Sequence, residues 1–386
     1  MRTFGIEEEF LLVDAVTGEP RPVGRQVVEQ SFDDRLTCEV TQEQLETATR
    51  PHRDVNDLAL DFARCRTLAD ETALRVGARV AALATSPQPV LPLASPGSRY
   101  DEVRERFALT ASDQVTCGCH VHVAVEDDDE GVAVLDRIRP WLPVLLALST
   151  NSPYWNGADT GYASYRSQAW GRWPMAGPCD LFGTAERYHA TVEALLETAV
   201  PVDLRQIYFD ARLNHQYPTV EVRVSDVCLY SDDAVLIALL TRGLVETAAR
   251  EWHAGVPPLE IPTATVRMAS WRAGRFGMDG RLLHPVTATP QDAGDVALAL
   301  LQHVRPVLRD QGDAEIAESL LRQLLARGTG ARRQRAALSR RGDLRDVVSE
   351  AVRVTNLPRG GITDQHEAAA RPASRSFAGF LGWGRP

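Results

Sequence analysis

Two periodicities divide this chain. From Thr3 to Leu12 (TFGIEEEFLL) the side chains follow a strand-like period of two, which sends Ile6, Glu8, Phe10 and Leu12 to one face and Glu7 and Glu9 to the other. The same period returns at Thr116–Val125, where Cys117, Cys119, Val121 and Val123 share a face opposite Gly118, His120 and His122. It returns again at Thr219–Val224, where Val220, Val222 and Val224 lie opposite Glu221, Arg223 and Ser225. Elsewhere the apolar positions recur at helical spacing. Val55, Leu58, Phe62, Leu68, Leu74 and Val80 predict one long core helix from Asp54 to Thr85, stopped by Ser86-Pro87. Further helices are predicted at Tyr100–Leu109, at Val132–Leu148 with a bend at Pro140 and Pro143, at Thr184–Val200, and from Ser231, placed to cap it, to about Trp252. Helices then dominate, at Pro290–Asp310, Asp313–Ala326, Ala331–Arg340 and Leu344–Thr355.

Asp14–Pro22 carries a turn signal able to close a hairpin, and Ala273–Arg281 reads as a turn or hairpin. The second acidic stretch, Thr37–Thr49, fits two patterns. As a helix it would place Glu39, Glu43 and Glu46 on an ordinary wet face; as a strand it would return toward Glu7 and Glu9. Ser149–Pro174 has little periodicity but holds three Trp, three Tyr and two Arg among Gly, Ser and Asn. Long irregular segments in a compact domain are usually functional.

Composition narrows the class. With 386 residues, of which 44% are hydrophobic, the chain can bury a sizeable core as one large domain or two ordinary ones. A net charge of -10 argues against a general binder of nucleic acid or of anionic membranes. No Lys occurs, so all 42 basic side chains are Arg; any phosphate must be gripped by guanidinium groups, and a Walker-type Lys is excluded. The acidic strand follows the N-terminus with no basic-then-apolar leader, and no apolar run approaches the ~18 residues of a membrane span, so a cytoplasmic location is expected. Six scattered cysteines predict free buried thiols. Residues 1–357 read as one domain, and 358–386, rich in Gly, Ala, Pro and Arg, as a poorly ordered tail.

The strand faces suggest chemistry. Glu7 and Glu9 sit about 7 Å apart along one face. Such neighbours raise each other's pKa unless water or a hard cation such as Mg2+ relieves them. Cys117, Cys119, His120 and His122 cannot converge from one strand on zinc, which leaves the thiols as core and the histidines as either site or satisfied core groups. Glu221 beside Arg223 suits a metal and an anion, or a plain cross-strand ion pair. The aromatic planes and Arg forks of 149–174 suit a nucleotide base and phosphates, or a stapled structural loop.

Gly-Ile-Glu-Glu-Glu-Phe, Gly-x-His-Val-His-Val, Asp-Thr-Gly-Tyr-Ala-Ser-Tyr-Arg and Val-Glu-Val-Arg, in this order, resemble the type 2 glutamate-cysteine ligases, bacterial carboxylate-amine ligases related to glutamine synthetase. The resemblance covers residues 1 to about 357. It implies an α+β, glutamine synthetase-like catalytic fold, with a curved, mainly antiparallel sheet flanked by helices and forming a funnel. The implied activity is ATP-dependent amide formation through an acyl phosphate, with glutamate and cysteine as the suggested substrates, ATP and two or more Mg2+ ions as cofactors, and small-molecule partners only; a homo-oligomer is compatible. Carried onto this chain, the resemblance implies metal ligation by Glu7, Glu9, Glu46, His120 and Glu221. Arg223 and Arg166 would be the catalytic cations, with Arg166, Arg172, Trp170 and Tyr165 at the nucleotide and His122 and Arg223 at the substrate. The rival readings are a guanidino kinase of the same fold family and a non-catalytic binder of amino acids or nucleotides.

Overall fold

The computed structural model describes residues 1–357, so the expected tail lies outside the described residues. In chain order the strands are β1 (Phe4–Asp14), β2 (Leu36–Cys38), β3 (Gln44–Ala48), β4 (Ala78–Ala81), β5 (Gly118–Ala124), β6 (Tyr154–Trp155), β7 (Ala158–Asp159), β8 (Ala211–Leu213), β9 (Thr219–Asp226), β10 (Arg281–Leu283) and β11 (Pro290–Asp292). The helices are α1 (Gly24–Gln30), α2 (Val55–Leu74), α3 (Ser98–Phe107), α4 (Leu109–Ser112), α5 (Asp128–Ile138), α6 (Leu142–Ser149), α7 (Arg166–Trp170), α8 (Ala185–Glu197), α9 (Ser231–His253), α10 (Thr263–Phe276), α11 (Ala293–Gln311), α12 (Ala314–Arg327), α13 (Gly330–Arg341) and α14 (Leu344–Thr355).

One open, wholly antiparallel sheet organises the molecule, in the order β2-β3-β1-β5-β9-β8, with β4 also paired to β1. Alternation decides what each face meets. Ile6, Cys119, Val121, Val123, Val220 and Val222 are buried in the main core with residues of α5, α6, α9, α11 and α12. Phe10, Leu12, Val80 and Cys117 belong to a second apolar cluster with residues of α2 and α14. The helix α9 runs through the middle and is buried along most of its length; Gly243 lets it approach α11, because a Cβ there would lie 2.9 Å from Val304. Asp54, Asp127, Thr184, Asp292 and Asp343 cap α2, α5, α8, α11 and α14 by accepting from free amides of their first turns. These are the sharp helix starts in the sequence.

Three expectations need correction, and one open alternative is decided. The long helix predicted over Asp54–Thr85 ends at Leu74, and the chain then turns at Gly77, with φ +73°, into β4. Val80 therefore serves a buried strand, whose short apolar run mimics one more helical turn. Of the two patterns open for Thr37–Thr49 the chain adopts the strand: β2 and β3 pair around a turn at 39–43, with Glu39 at its start and Glu46 inside β3 opposite Thr37. Ser231 is the first helical residue of α9, and the cap position falls on Tyr230, which makes no side-chain cap. Finally, Ala273–Phe276 completes α10, and the hairpin starts only at β10, which pairs with β11. Pro140 does break Val132–Leu148 into α5, a single 3-10 turn at Arg139–Trp141, and α6. Cys117 and Cys119 are fully buried in the core, as expected. Among the described residues no helix is long and apolar enough to cross a membrane.

Glu8 sits on the helix-facing side and needs a cation there. Arg66 of α2 supplies it, with Nε donating at 2.9 Å and Nη2 at 2.5 Å. The same guanidinium donates to the carbonyls of Cys228 and Leu229 at 2.7 and 3.2 Å and lies 5.0 Å from the centre of the Phe62 ring. A buried carboxylate thus ties α2, β1 and the start of α9 together.

Candidate active site

The other sheet face carries a row of charges set by register. Antiparallel pairing places Glu9 opposite Glu46 and Thr37 opposite Glu46. Thr37 Oγ1 donates to Glu46 at 2.7 Å, and the backbone amide of Gly118 donates to Glu9 at 2.6 Å. Glu39, just beyond β2, completes a trio in which oxygens of Glu9, Glu39 and Glu46 all lie within 4.8 Å of one another. Burial, helped by the charge of Glu9, pushes Glu39 up to about 7. Burial and the charges of Glu7 and Glu39 hold Glu46 well above its ordinary value. Without a cation, this trio must retain protons to tolerate its own crowding.

The next position in the row pairs Glu7 with His120. His120 Nδ1 lies 2.8 Å from Glu7, and its Nε2 is buried without a partner among the described residues. Burial and the nearby Arg223 charge lower the His120 pKa, outweighing Glu7. A neutral ring that donates from Nδ1 to a carboxylate leaves the Nε2 lone pair exposed to the site, the arrangement typical of an imidazole metal ligand. His122 approaches the other Glu7 oxygen at 3.4 Å. Burial opposes its charge, but Glu7 and Glu221 raise its pKa overall. The two histidines in turn hold Glu7 well below the usual carboxylate range, against the effect of burial.

Gly118 keeps this corner open. A Cβ there would collide with the Arg166 guanidinium and come within 2.8 Å of His120 Nε2. Because both obstacles are side-chain ends, Gly118→Ala should fold but displace them, and displacements near 1 Å cost on the order of 10²-fold in rate. Turnover measured beside the melting temperature checks this; parental turnover would show that neither group needs its present position.

The row ends at Glu221, opposite His122 on β5 and Arg212 on β8. Arg212 donates to it at 2.9 and 3.2 Å, Asn214 at 3.1 Å, and Arg223 through Nη1. Against the cost of burial, the Arg223 and Arg212 charges hold Glu221 far below its ordinary pKa. Arg223 Nε remains buried without a partner, and the guanidinium lies 5.8 Å from the centre of the Tyr208 ring. Arg166, at the start of α7, is also buried; it reaches the carbonyls of Arg223 and Val224 at 3.4 and 3.5 Å, keeps an unpartnered Nε, and lies 5.6 Å from the Trp170 ring. Both arginines open into a cleft of about 360 Å³ that is also lined by Trp170, Arg172, Tyr208 and Trp271.

Glutamate-cysteine ligase family 2 is described by a family profile that matches residues 3–350. The chain belongs to this family. It is similar to candidate glutamate-cysteine ligases 2 from Streptomyces avermitilis, at 52% identity over 92% of this chain and 99% of that one, and from Paenarthrobacter aurescens, at 49% over 92% and 95%. Its fold is similar to that of a glutamate-cysteine ligase from Francisella tularensis solved with AMP, with a TM-score of 0.65 and 15% identity over 95% of this chain and 92% of that one. A bifunctional glutathione synthetase from Pasteurella multocida matches with a TM-score of 0.67 and 16% identity, over 96% of this chain and 52% of that one. The family membership and the names of these relatives make the chain a carboxylate-amine ligase of the glutamate-cysteine ligase type.

Within this family member, the expected metal ligands Glu7, Glu9, Glu46, His120 and Glu221 share one face but form no single cluster. Glu221 stands apart because both its oxygens are engaged by Arg212 and Arg223. Both oxygens of Glu7 face histidines. Glu39 takes the vacated place in the carboxylate trio. Tyr165, expected at the nucleotide, packs its ring against Trp155 and Tyr162 and is absent from the cleft lining, whereas Arg166, Trp170 and Arg172 do line it. Arg212 was missed. Its signal was the Ala-Arg-Leu run before the Asn214–Pro218 turn, which as a hairpin arm sets Arg212 opposite Glu221.

Proposed function

We propose that the chain joins the side-chain carboxylate of glutamate to an amine, consuming ATP with Mg2+ and passing through an acyl phosphate. The observation that carries this reading is the row itself. A cation-hungry carboxylate trio and an unpartnered imidazole nitrogen lie on the same face as two buried arginines with unspent donors. The donor set fits Mg2+: Glu9, Glu39 and Glu46 would hold it, and His120 Nε2 offers a further ligand oriented by Glu7. When bound there, Mg2+ would neutralise phosphate charge and so ease attack on the γ-phosphorus.

The protein's own part is electrostatic. The glutamate carboxylate attacks the γ-phosphorus of ATP, the bond to the β-phosphate oxygen breaks, and ADP leaves. Arg223 and Arg166 stabilise the charge on the transferring phosphoryl group with donors already in place. An amine then attacks the acyl carbon, expels phosphate and loses a proton, leaving the amide. A guanidino kinase would transfer phosphate to a guanidine without activating a carboxylate, so trapping distinguishes the two. Incubation with ATP, Mg2+, glutamate and hydroxylamine should yield glutamyl hydroxamate and ADP in equal amounts; ADP formation without hydroxamate would overturn the acyl-phosphate route.

The cation should also displace protons. The Glu39 carboxyl, pushed up to about 7 from an ordinary 4.5, favours the folded state while protonated. Its contribution to the cation-free protein is therefore present below about pH 4.5 and lost as pH rises through 7. Mg2+ needs the ionised form, so its affinity should rise about tenfold per pH unit for each proton displaced below that pKa. Calorimetry between pH 5.5 and 8 in buffers of different ionisation enthalpy reads the proton count. Binding independent of pH, with no proton released, would remove the trio as the site.

A further inference from the structure

One carboxylate in the arginine-lined cleft has no hydrogen-bonded or ion-paired counterpart among the described residues. Asp210 is fixed through its backbone: its N–H donates to the Gly177 carbonyl at 3.0 Å, and its carbonyl accepts from Arg223 N–H at 2.9 Å. These bonds place it beside the catalytic strand. Its side chain, however, makes no hydrogen bond or ion pair with any described residue, although it lines the same cleft as Arg166, Arg223, Tyr208 and Trp271. The buried carboxylates Glu8, Glu130, Asp136, Glu221 and Asp226 are all partnered. Arg267 on α10, an exposed side chain, lines the same cleft and makes no hydrogen bond or ion pair with any described residue, Asp210 included.

An isolated carboxylate on a partly dried wall is costly unless a ligand completes it. Burial pushes Asp210 up to about 7 even though Arg267 and Arg166 oppose the rise. The arginines of the cleft can take phosphate, but neither a phosphate nor a simple dicarboxylate would satisfy this carboxylate. An α-amino acid offers both signs on one carbon: an ammonium for the carboxylate and a carboxylate for the guanidinium. With its head held there, the side chain of the amino acid would extend toward Arg223 and the carboxylate row.

We infer that Asp210 is the recognition residue for the ammonium group of the carboxylate-donating amino acid, with Arg267 receiving its α-carboxylate. The inference rests on the ligase reading above and adds the location and polarity of the amino-acid site. It also explains why the cleft combines four arginines, Arg166, Arg172, Arg223 and Arg267, with one acid.

The test compares L-glutamate with glutarate, which keeps both carboxylates and lacks the ammonium, on the full chain and on Asp210→Asn and Asp210→Glu. Affinities are measured by calorimetry with Mg2+ and a non-hydrolysable ATP analogue, and the parental chain is assayed separately for hydroxamate formation. The parental chain should prefer glutamate, and Asp210→Asn should reduce that preference on the order of 10²-fold, as expected for losing one partner of a desolvated charge pair. Asp210→Glu should restore part of it. Because the side chain has no partner among the described residues, Asp210→Asn should melt no lower than the parent. Equal weakening of glutamate and glutarate, or an unchanged preference, overturns the assignment. Absence of parental hydroxamate sinks the ligase reading alone, since the binding comparison still decides the role of Asp210.

Discussion

Arg223→Ala is expected to lower turnover by a factor on the order of 10²–10³, comparable to removing one preorganised donor from a developing charge. Affinity for Mg2+ and nucleotide should stay near parental. The reason lies in how Glu221 is shared. Arg212 grips this carboxylate at 2.9 and 3.2 Å and Asn214 adds a third bond, so losing Arg223 does not strand a buried charge. What disappears is the unpartnered Nε and the rest of the fork facing the row. Lys at 223 restores charge without the fork and should rescue only in part. Glu221→Ala is the contrasting variant. It leaves Arg212 and Arg223 without their shared counter-charge in a buried place, so it should lower both stability and turnover. ADP release at saturating substrates, with nucleotide affinity measured in parallel, separates these outcomes. Parental turnover in Arg223→Ala would remove this strand from the chemistry.

The largest loss of stability is expected from Arg66→Ala. Glu8 is fully buried, and both its oxygens depend on this one guanidinium. Removing one partner of a buried ion pair costs about 3–5 kcal/mol, because the remaining charge must be neutralised or exposed. The carbonyls of Cys228 and Leu229 lose their donor as well. Replacing both members with apolar residues, as in Glu8→Leu with Arg66→Met, should recover most of the loss. Denaturant titration of the single and double variants reads the effect; a cost below about 1 kcal/mol for Arg66→Ala would show that Glu8 finds another partner.

Both predictions depend on partners that lie far apart in the chain, and there the sequence is least informative. That Glu8 faces helices and Glu7 and Glu9 face the site follows from alternation alone. That the counter-charge of Glu8 is Arg66 does not, since α2 carries Arg64 and Arg66 and its rotation about its own axis is set only by packing on β1. The carboxylates at Glu39 and Glu46 satisfied a helical pattern as well as a strand pattern; hydrogen bonding of β3 to β1 removed the ambiguity. Val80 was drawn into a helix because one buried turn and a four-residue buried strand have the same apolar density.

By itself, the sequence determined which residues share a strand face, most of the helical segments, the absence of lysine from any phosphate grip, and the family. Each rests on local periodicity, composition or motif order, which survive without neighbours. Tertiary structure alone decided that Glu39 joins Glu9 and Glu46, that Glu221 is claimed by Arg212, and that Asp210 pairs with none of the described residues beside the arginines. Those outcomes depend on strand register and loop closure. A shift of one residue in the pairing of β1 with β3 would part Glu9 from Glu46, and the same shift of β8 against β9 would part Glu221 from Arg212.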